Sequence, residues 1–412
     1  VKIVSRPPKK DRLPFSDEDV ARATRLFQKI RKGKTKTLRS LAKKQGNEAL
    51  EVPREHWPKA MARLSKPQFR ALELACRQIG LRARKQLSSL KPFVFRPSPG
   101  WSVTQKLLPV HSTAVVLGPP PHPQAPLLLA AAIPAALAEV PVRAVCVPPS
   151  PDGLLNPLVV AAAHMAEATH LFMLAGPTAL AALSQGIGPF PRVSHILASA
   201  EPGVPAMSRQ IMSRCSTEVI VTGSSELMIL AEGQARADLI AAELAAHLER
   251  NPHSTCGLVT TNQRLAREVR KRLRQAHSES DRDPGDAIYV VRAESRKRAC
   301  SIANERVPDH LWLLSSQPEQ WVADLTGYGA LHVGPHAAEV LGEAGCSPSL
   351  AGPYGSHWRS MISALDFLKV ATVERIVPET YRRLGRTAAV ISEAEGRTHT
   401  ADAARSRIEL QS

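Results

Sequence analysis

The chain has 412 residues, 43% of them hydrophobic and 22% charged, enough apolar material for several packed domains and too much for wholesale disorder. Its net charge of +17 is uneven: residues 1–100 hold 26 Lys+Arg against 8 Asp+Glu, which leaves 28 basic and 29 acidic residues for the rest. The basic excess therefore belongs to the N-terminal region, where each Lys or Arg set on a phosphate releases a condensed counterion; a solubilising face is the other use of such charge.

Val1 to Arg12 is basic, contains Pro7-Pro8, and reads as an extended tail. A chain opening on Val fits a trimmed initiator or a removed targeting peptide. The expected compartment is an organelle matrix, mitochondrial or plastid, with the cytoplasm as the alternative. Residues 16 to 90 read as helical. Ser16 is the expected N-cap, with Asp17, Glu18 and Asp19 in the first turn. Lys32-Gly33-Lys34-Thr35-Lys36 reads as an exposed basic loop. Phe69 to Leu87 reads as an amphipathic helix with Leu72, Ala75, Cys76 and Ile79 on one face. Pro92, Pro97 and Pro99 mark a linker. The residues expected to meet a polyanion are Lys9, Lys10, Arg31, Lys32, Lys34, Lys36, Arg39, Lys43, Lys44, Arg82, Arg84 and Lys85.

From about residue 111 strands alternate with helices. Thr113–Leu117, Val142–Val147 and His170–Leu174 read as strands, and Leu127–Ala138, Leu158–Ala166 and Thr178–Leu183 as helices. That alternation predicts a doubly wound α/β domain. Glu218–Val221 and Leu227–Leu230 are read as opening a second such domain. It continues with a helix over Ala235–Arg250 and a strand over Thr255–Thr260. A helix over Gln263–Gln275 follows, then strands at Ala287–Val291, His310–Ser315 and Ala330–Gly334. The tail from about 356 reads as helical. The expected segments are 1–110, 111–215, 216–335 and 336–412. The apolar stretch Ala125 to Ala138 is broken by Pro134 and followed by Glu139. A bilayer span needs about 20 apolar residues, so this reads as a buried helix, and no membrane span is expected. Six scattered cysteines without CxxC spacing read as isolated thiols in a reducing compartment, not as a disulfide framework or zinc finger. On the helix over Gln263–Gln275, Arg264, Arg267, Arg270, Lys271 and Arg274 lie opposite Leu265, Val269 and Leu273, a further basic face.

Three landmarks, in order, are Gly223-Ser224-Ser225-Glu226-Leu227-Met228-Ile229-Leu230-Ala231, Val307-Pro308-Asp309-His310-Leu311 and Leu365-Asp366-Phe367-Leu368-Lys369. With Gly46-Asn47-Glu48-Ala49-Leu50 they resemble histidinol dehydrogenase, over about residues 110 to 405 and less closely over 40 to 100. The resemblance implies an α/β fold of two Rossmann-like domains with helical N- and C-terminal extensions, and an intertwined homodimer. It also implies NAD and zinc as cofactors, with a Glu-His pair moving protons.

Carried over residue by residue, that pattern is altered here. The family's first two zinc ligands, a Gln and a His three apart on one helix, fall on His247 and Arg250. Arginine stays protonated and offers a metal no lone pair. The Asp ligand of the family's Gly-Asp-Tyr run falls on Glu343, and the following substrate-contacting His falls at Ser349-Leu350. The last ligand, after Glu393-Ala394-Glu395-Gly396, falls on Thr400, with His399 one residue early and rotated by about 100° on a helix. His310 and Asp309 match the proton-transfer pair, and Ser225 and Glu395 match substrate contacts. The family's Tyr-Val-Pro-Gly-Gly turn aligns with Val116-Leu117-Gly118-Pro119-Pro120, where prolines replace N–H donors. Its Gly-Pro-Gly-Asn aligns near Leu197-Ala198-Ser199-Ala200.

The expected function is a histidinol dehydrogenase-like pseudoenzyme, a structural subunit of a large RNA-containing assembly such as an organellar ribosome, with no cofactor. His247 and Glu343 would then be a vestigial, empty metal pair. The low aromatic content of 4% favours contacts to the nucleic-acid backbone over base stacking. Two alternatives stay open: an active NAD- and zinc-dependent oxidoreductase using His310, Asp309, Ser225 and Glu395, or a subunit of a protein-only complex. For His310 and Asp309 the plain alternative is a satisfied polar pair at a strand start. For His247 and Glu343 it is an ordinary surface or helix-end position.

Overall fold

The computed structural model describes residues 3–4, 6–8, 15–46, 49–118, 124–149, 155–222, 225–250, 254–278, 287–346 and 361–410. By compactness the chain divides into two units, residues 1–85 with 110–367 and residues 86–109 with 368–412. All six cysteines are free thiols.

The N-terminal region opens with strand β1 (Ile3–Val4), followed by helices α1 (Asp17–Lys44), α2 (Trp57–Met61) and α3 (Lys66–Ser89). Ser16 caps α1 in a reciprocal box: Asp19 N–H donates to Ser16 Oγ at 3.2 Å and Ser16 N–H donates to Asp19 Oδ2 at 2.9 Å. The expected loop at Lys32–Lys36 is instead part of α1, which bends at Lys34 (φ 46, ψ −139). Apolar spacing on both sides of the bend carries the helix through, since Phe27, Ile30, Leu38 and Ala42 are all buried. Burial of each large side chain contributes about 1.5–3 kcal/mol, more than one strained residue costs. The opening residues are not a free tail either. β1 lies parallel to a later strand, pairing Ile3 with Val290 and Val4 with Val291.

The first α/β body contains β4 (Ser112–Val116), α4 (Ala125–Leu137), β5 (Val142–Val147), α5 (Pro157–Met165), β6 (His170–Met173), α6 (Gly176–Gln185), β7 (His195–Ser199), α7 (Val204–Met212) and β8 (Glu218–Thr222). Strands β2 (Phe93–Ser98) and β3 (Trp101–Pro109) precede it in the chain and belong to the other unit. Its parallel sheet has the order β6-β5-β4-β7-β8. The chain leaves β4 toward one edge and returns on the other side, so the switch point lies between β4 and β7. α4 is buried on nearly every side, which accounts for its unbroken apolar sequence. No helix among the described residues is long and apolar enough to cross a membrane. α1 packs against α6 and α7 and shares the core of this body.

β8 corrects one expectation: it closes the first sheet, pairing Glu218 with His195 of β7, and does not open the second. Only residues 223–225 separate it from β9 (Glu226–Ala231). Adjacent parallel strands need a crossover of a dozen or more residues, so two strands this close must belong to different sheets. The second body continues with α8 (Ala237–Arg250), β10 (Thr255–Thr260), α9 (Gln263–Ser278), β11 (Ile288–Arg292), α10 (Arg296–Arg306), β12 (His310–Leu314), α11 (Pro318–Val322) and β13 (Ala330–Val333). Its parallel sheet has the order β1-β11-β10-β9-β12-β13. Two apolar clusters cover its faces, one built with α8 and α9 and the other with α10 and α11.

The smaller unit holds β2, β3, β14 (Leu368–Ile376), α12 (Pro378–Ala394) and α13 (Thr398–Ile408). The expected linker at Pro92–Pro99 is therefore mostly strand, and the expected helical tail includes a nine-residue strand. The antiparallel order is β14-β3-β2. Pro97 sits where the β2–β3 register shifts, between Phe95 and Ser98, and β2 is an edge strand. Both are positions where a sheet tolerates proline.

Candidate functional site

β9 and β12 are neighbours, and their amino ends lie together because His310 pairs with Leu227. Ser225 precedes β9 and Asp309 precedes β12, so three of the expected site residues converge at this sheet end. α8 delivers more: Glu243, His247 and Arg250 are spaced i, i+4 and i+7 along one helix face. A 3₁₀ helix over Glu339–Ala344 faces them.

Glu339 is the centre of the cluster. Its Oε2 lies 2.7 Å from His247 Nδ1, and its Oε1 lies 3.0 Å from Arg250 Nη2 and 3.5 Å from His310 Nε2. The carboxyl group of Glu243 accepts the Val340 N–H at 2.9 Å, fixing the 3₁₀ helix against α8. His247 is wholly buried. Its other nitrogen, Nε2, faces the Ser225 carbonyl at 3.4 Å. Both ring nitrogens thus face oxygen acceptors, and only the doubly protonated imidazolium satisfies both. Burial alone would lower the pKa of His247, but the charge of Glu339 and its hydrogen bond outweigh burial and raise it. Burial likewise pushes Glu339 up, while His310, His247 and Arg250 together hold its carboxyl well below the usual range.

His310 behaves in the opposite way. Burial depresses its pKa to about 4 despite the Glu339 carboxylate, and His332 pushes in the same direction as burial. Its Nδ1 lies 3.2 Å from His332 Nε2, so the two neutral rings share one proton between them. Asp309 is buried and turned elsewhere, its Oδ2 accepting the Glu226 N–H at 2.8 Å. The two residues of the expected proton-transfer pair therefore have different partners. Ser225 is buried, with its N–H donating to Ser254 Oγ at 2.9 Å.

Glu343 lies one turn beyond Glu339 and is exposed. His247 thus meets Glu339 in place of Glu343, and it is a core residue, not a surface one. Glu395 is exposed at the end of α12 and ion-paired with Arg397; His399 and Thr400 are exposed on α13. Ser349 and Leu350 lie outside the described residues. A zinc ligand must offer a free lone pair. Both ring nitrogens of His247 face acceptors, and Glu339 Oε2 is one of them, while Glu339 Oε1 lies at ion-pair distance from Arg250. No three His, Cys, Asp or Glu among the described residues converge as a metal site. The described residues, as arranged, do not present a zinc site.

The usual crevice for a dinucleotide lies at the carboxyl ends of the strands beside the switch point. In the first body Gln124 spans that crevice. Its Oε1 accepts the Gly118 N–H at 2.8 Å and its Nε2 donates to Ser199 Oγ at 3.0 Å. The N–H that a phosphate would take is already engaged, and Pro119, Pro120 and Pro121 lie outside the described residues. The loop after β7 begins later than expected: Leu197–Ser199 are strand, and Ala200-Glu201-Pro202-Gly203 make the turn into α7. That loop carries a glycine, Gly203, at φ +83. Burial raises Glu201 in this turn to about 7.

Of the expected polyanion contacts, Arg31, Lys32, Lys34, Lys36, Arg39, Lys43 and Lys44 are exposed on α1, and Arg84 and Lys85 are exposed on α3. Arg82 is half-buried and donates to the Cys346 carbonyl. Lys9 and Lys10 lie outside the described residues. On α9, Leu265, Val269 and Leu273 are buried, which turns the basic face outward. Sequence reasoning misses Glu339 and His332. The signal for Glu339 is a carboxylate set among Ala337, Ala338, Val340 and Leu341, which a fold buries only with a partner.

The family model for histidinol dehydrogenase matches residues 13–408. The histidinol dehydrogenase of Nitrosomonas europaea is 29% identical over 411 residues, covering 95% of this chain and 93% of that protein. That of Rhodopseudomonas palustris is 32% identical over 277 residues, covering 64% of this chain and 63% of that one. The crystal structure of histidinol dehydrogenase from Elizabethkingia anophelis superposes with a TM-score of 0.86 at 20% identity, covering 98% of this chain and 94% of that one.

Proposed function

This chain belongs to the histidinol dehydrogenase family, and on that premise we propose that it serves as a scaffold and not as a dehydrogenase. Its partner is a polyanion, in the form of an RNA-containing assembly within an organelle matrix. The observation that carries this reading is the saturation of Glu339 by His247 and Arg250. A fixed guanidinium and an imidazolium supply the positive charge in a cluster where the family holds a metal. With the charge satisfied from within, the cluster holds the end of α8 to the strand ends as a structural clamp. The Gln124 bridge at the switch point supports the same reading for the cofactor.

The polyanion half rests on the basic excess of residues 1–100 and on the exposed cations of α1. The apolar face of α1 is part of the core, so removing it would unfold the protein. Charge is removed instead by Lys36→Gln, Arg39→Gln, Lys43→Gln and Lys44→Gln together. Affinity for single-stranded RNA, measured at about 50 and about 200 mM salt, falls steeply with salt in the parent and less steeply in the variant. Equal slopes would remove α1 from the interface. Histidinol-dependent NAD reduction that disappears in His310→Ala would overturn the scaffold reading. One observation favours that second reading: burial keeps His310 neutral near pH 7, the form in which an imidazole accepts a proton.

A further inference from the structure

A cavity of about 560 Å³ opens in the first α/β body between the middle of α1, the end of α6 and the turn after α7. None of the residues lining it belongs to the Glu339 cluster. Four cations line it, Arg31, Lys34, Arg192 and Arg214, and no carboxylate does. They come from three separate stretches of chain, so helix periodicity alone does not gather them. None of the four forms an ion pair among the described residues. Like charges converging on one hollow repel each other, and an anion in the hollow converts that repulsion into attraction. The α6 C-terminus on the same wall contributes only about half a negative charge, outnumbered by four full positive ones.

The backbone around the cavity is specialised. Lys34, at φ 46, is the residue at which α1 bends, a conformation costing about 1–3 kcal/mol for a non-glycine residue. On the opposite wall Gly186 has φ +66, and a Cβ there would lie 2.9 Å from Arg192 Cβ and 3.2 Å from its N. The turn therefore carries no side chain where Arg192 approaches. Thr35, Ser184 and Gln185 add neutral polar groups. The aromatic residue in the lining, Phe27, is buried in the core and offers no face to a base. This chemistry selects a phosphate group and not a nucleobase.

We propose that this cavity is a phosphate site occupied by the backbone of an RNA strand. The proposal rests on the polyanion reading above and names its deepest contact. The test is fluorescence anisotropy with a single-stranded RNA oligomer on the full chain, as parent, as Arg192→Gln/Arg214→Gln, and as the charge-matched control Lys59→Gln/Arg63→Gln. All four substituted side chains are exposed. Losing two phosphate contacts flattens the plot of log affinity against log salt by about 1.4, or roughly fiftyfold in affinity at about 50 mM salt. The control retains the parent slope. If the pocket variant and the control behave alike, the site is refuted while the polyanion reading stands. If the parent binds no RNA, that reading falls, and pyrophosphate decides the pocket. A rise in melting temperature with pyrophosphate in the parent and not in the Arg192→Gln/Arg214→Gln variant assigns the site to a small phosphate ligand. No rise in either ends the proposal.

Discussion

Replacing Glu339 by Gln tests the clamp directly. The change keeps size and hydrogen bonding but removes the carboxylate that lies against both His247 and Arg250. At 2.7 and 3.0 Å each pair attracts by about 5–6 kcal/mol at an effective dielectric near 20. Most of that offsets desolvation, and removing one partner of a buried pair costs about 3–5 kcal/mol. Two features place this case at the low end. The amide carbonyl of the substituted side chain would still accept from His247, and the Arg250 side chain is 23% exposed and keeps some water. The expected loss is about 3 kcal/mol, read from the urea midpoint and slope followed by tryptophan fluorescence. Glu319→Gln, exposed on α11, is the control and should stay within about 0.5 kcal/mol. If Glu339→Gln costs no more than that control, the carboxylate is not holding the two cations and the clamp is wrong.

The pH dependence of stability is set by buried titratable groups whose contributions oppose one another. His310 has its folded pKa depressed to about 4, so its contribution falls as pH drops from about 6.5 toward 4, by roughly 3 kcal/mol, whereas Glu201, raised to about 7, contributes more as pH drops from about 7 toward 4.5. His247 has its folded pKa raised, so its contribution is whole below about 6.5 and fades as pH climbs through the raised value. His310→Phe should remove the His310 contribution alone, so that melts recorded across pH show the variant gaining on the parent as pH drops below about 6.5. Gly345→Ala should lower stability by about 1–3 kcal/mol, because the residue sits at φ +76 and the new Cβ would lie 2.6 Å from the Ala75 carbonyl oxygen; a neutral result in a thermal melt would contradict that contact. Gln124→Ala should cost about 1 kcal/mol and free the Gly118 N–H. Isothermal titration with NAD then asks whether the bridge was the obstacle, and an affinity equal to the parent's would show it was not.

Much of the α/β body can be read from residues alone, because buried parallel strands such as Val142–Val147 are continuous apolar runs bounded by polar turns. Three kinds of information cannot. β7 and α7 escape a reading by pattern because Pro191, Ser194 and His195 interrupt the apolar run near 195, and the pairing of β7 with β4 that overrides them is long-range. β14 and β2 read as helix and linker because an exposed antiparallel sheet shows little hydrophobic contrast. At the site, alignment places the carboxylate at Glu343. Burial places it at Glu339, one 3₁₀ turn earlier, and only the packing of α8 against that turn distinguishes the two. His247 is legible in the sequence as a residue of the cluster's chemistry. So is the fixed charge beside it, because Arg250 is by residue type unable to bind a metal.

Zinc stoichiometry tests the central claim most directly. The purified full-length chain is equilibrated with excess zinc, passed over a desalting column, and analysed by inductively coupled plasma mass spectrometry. A cluster whose lone pairs are engaged by Glu339, His247 and Arg250 predicts far less than one zinc per chain, unchanged by His247→Ala. One zinc per chain in the parent, lost in His247→Ala, would contradict it.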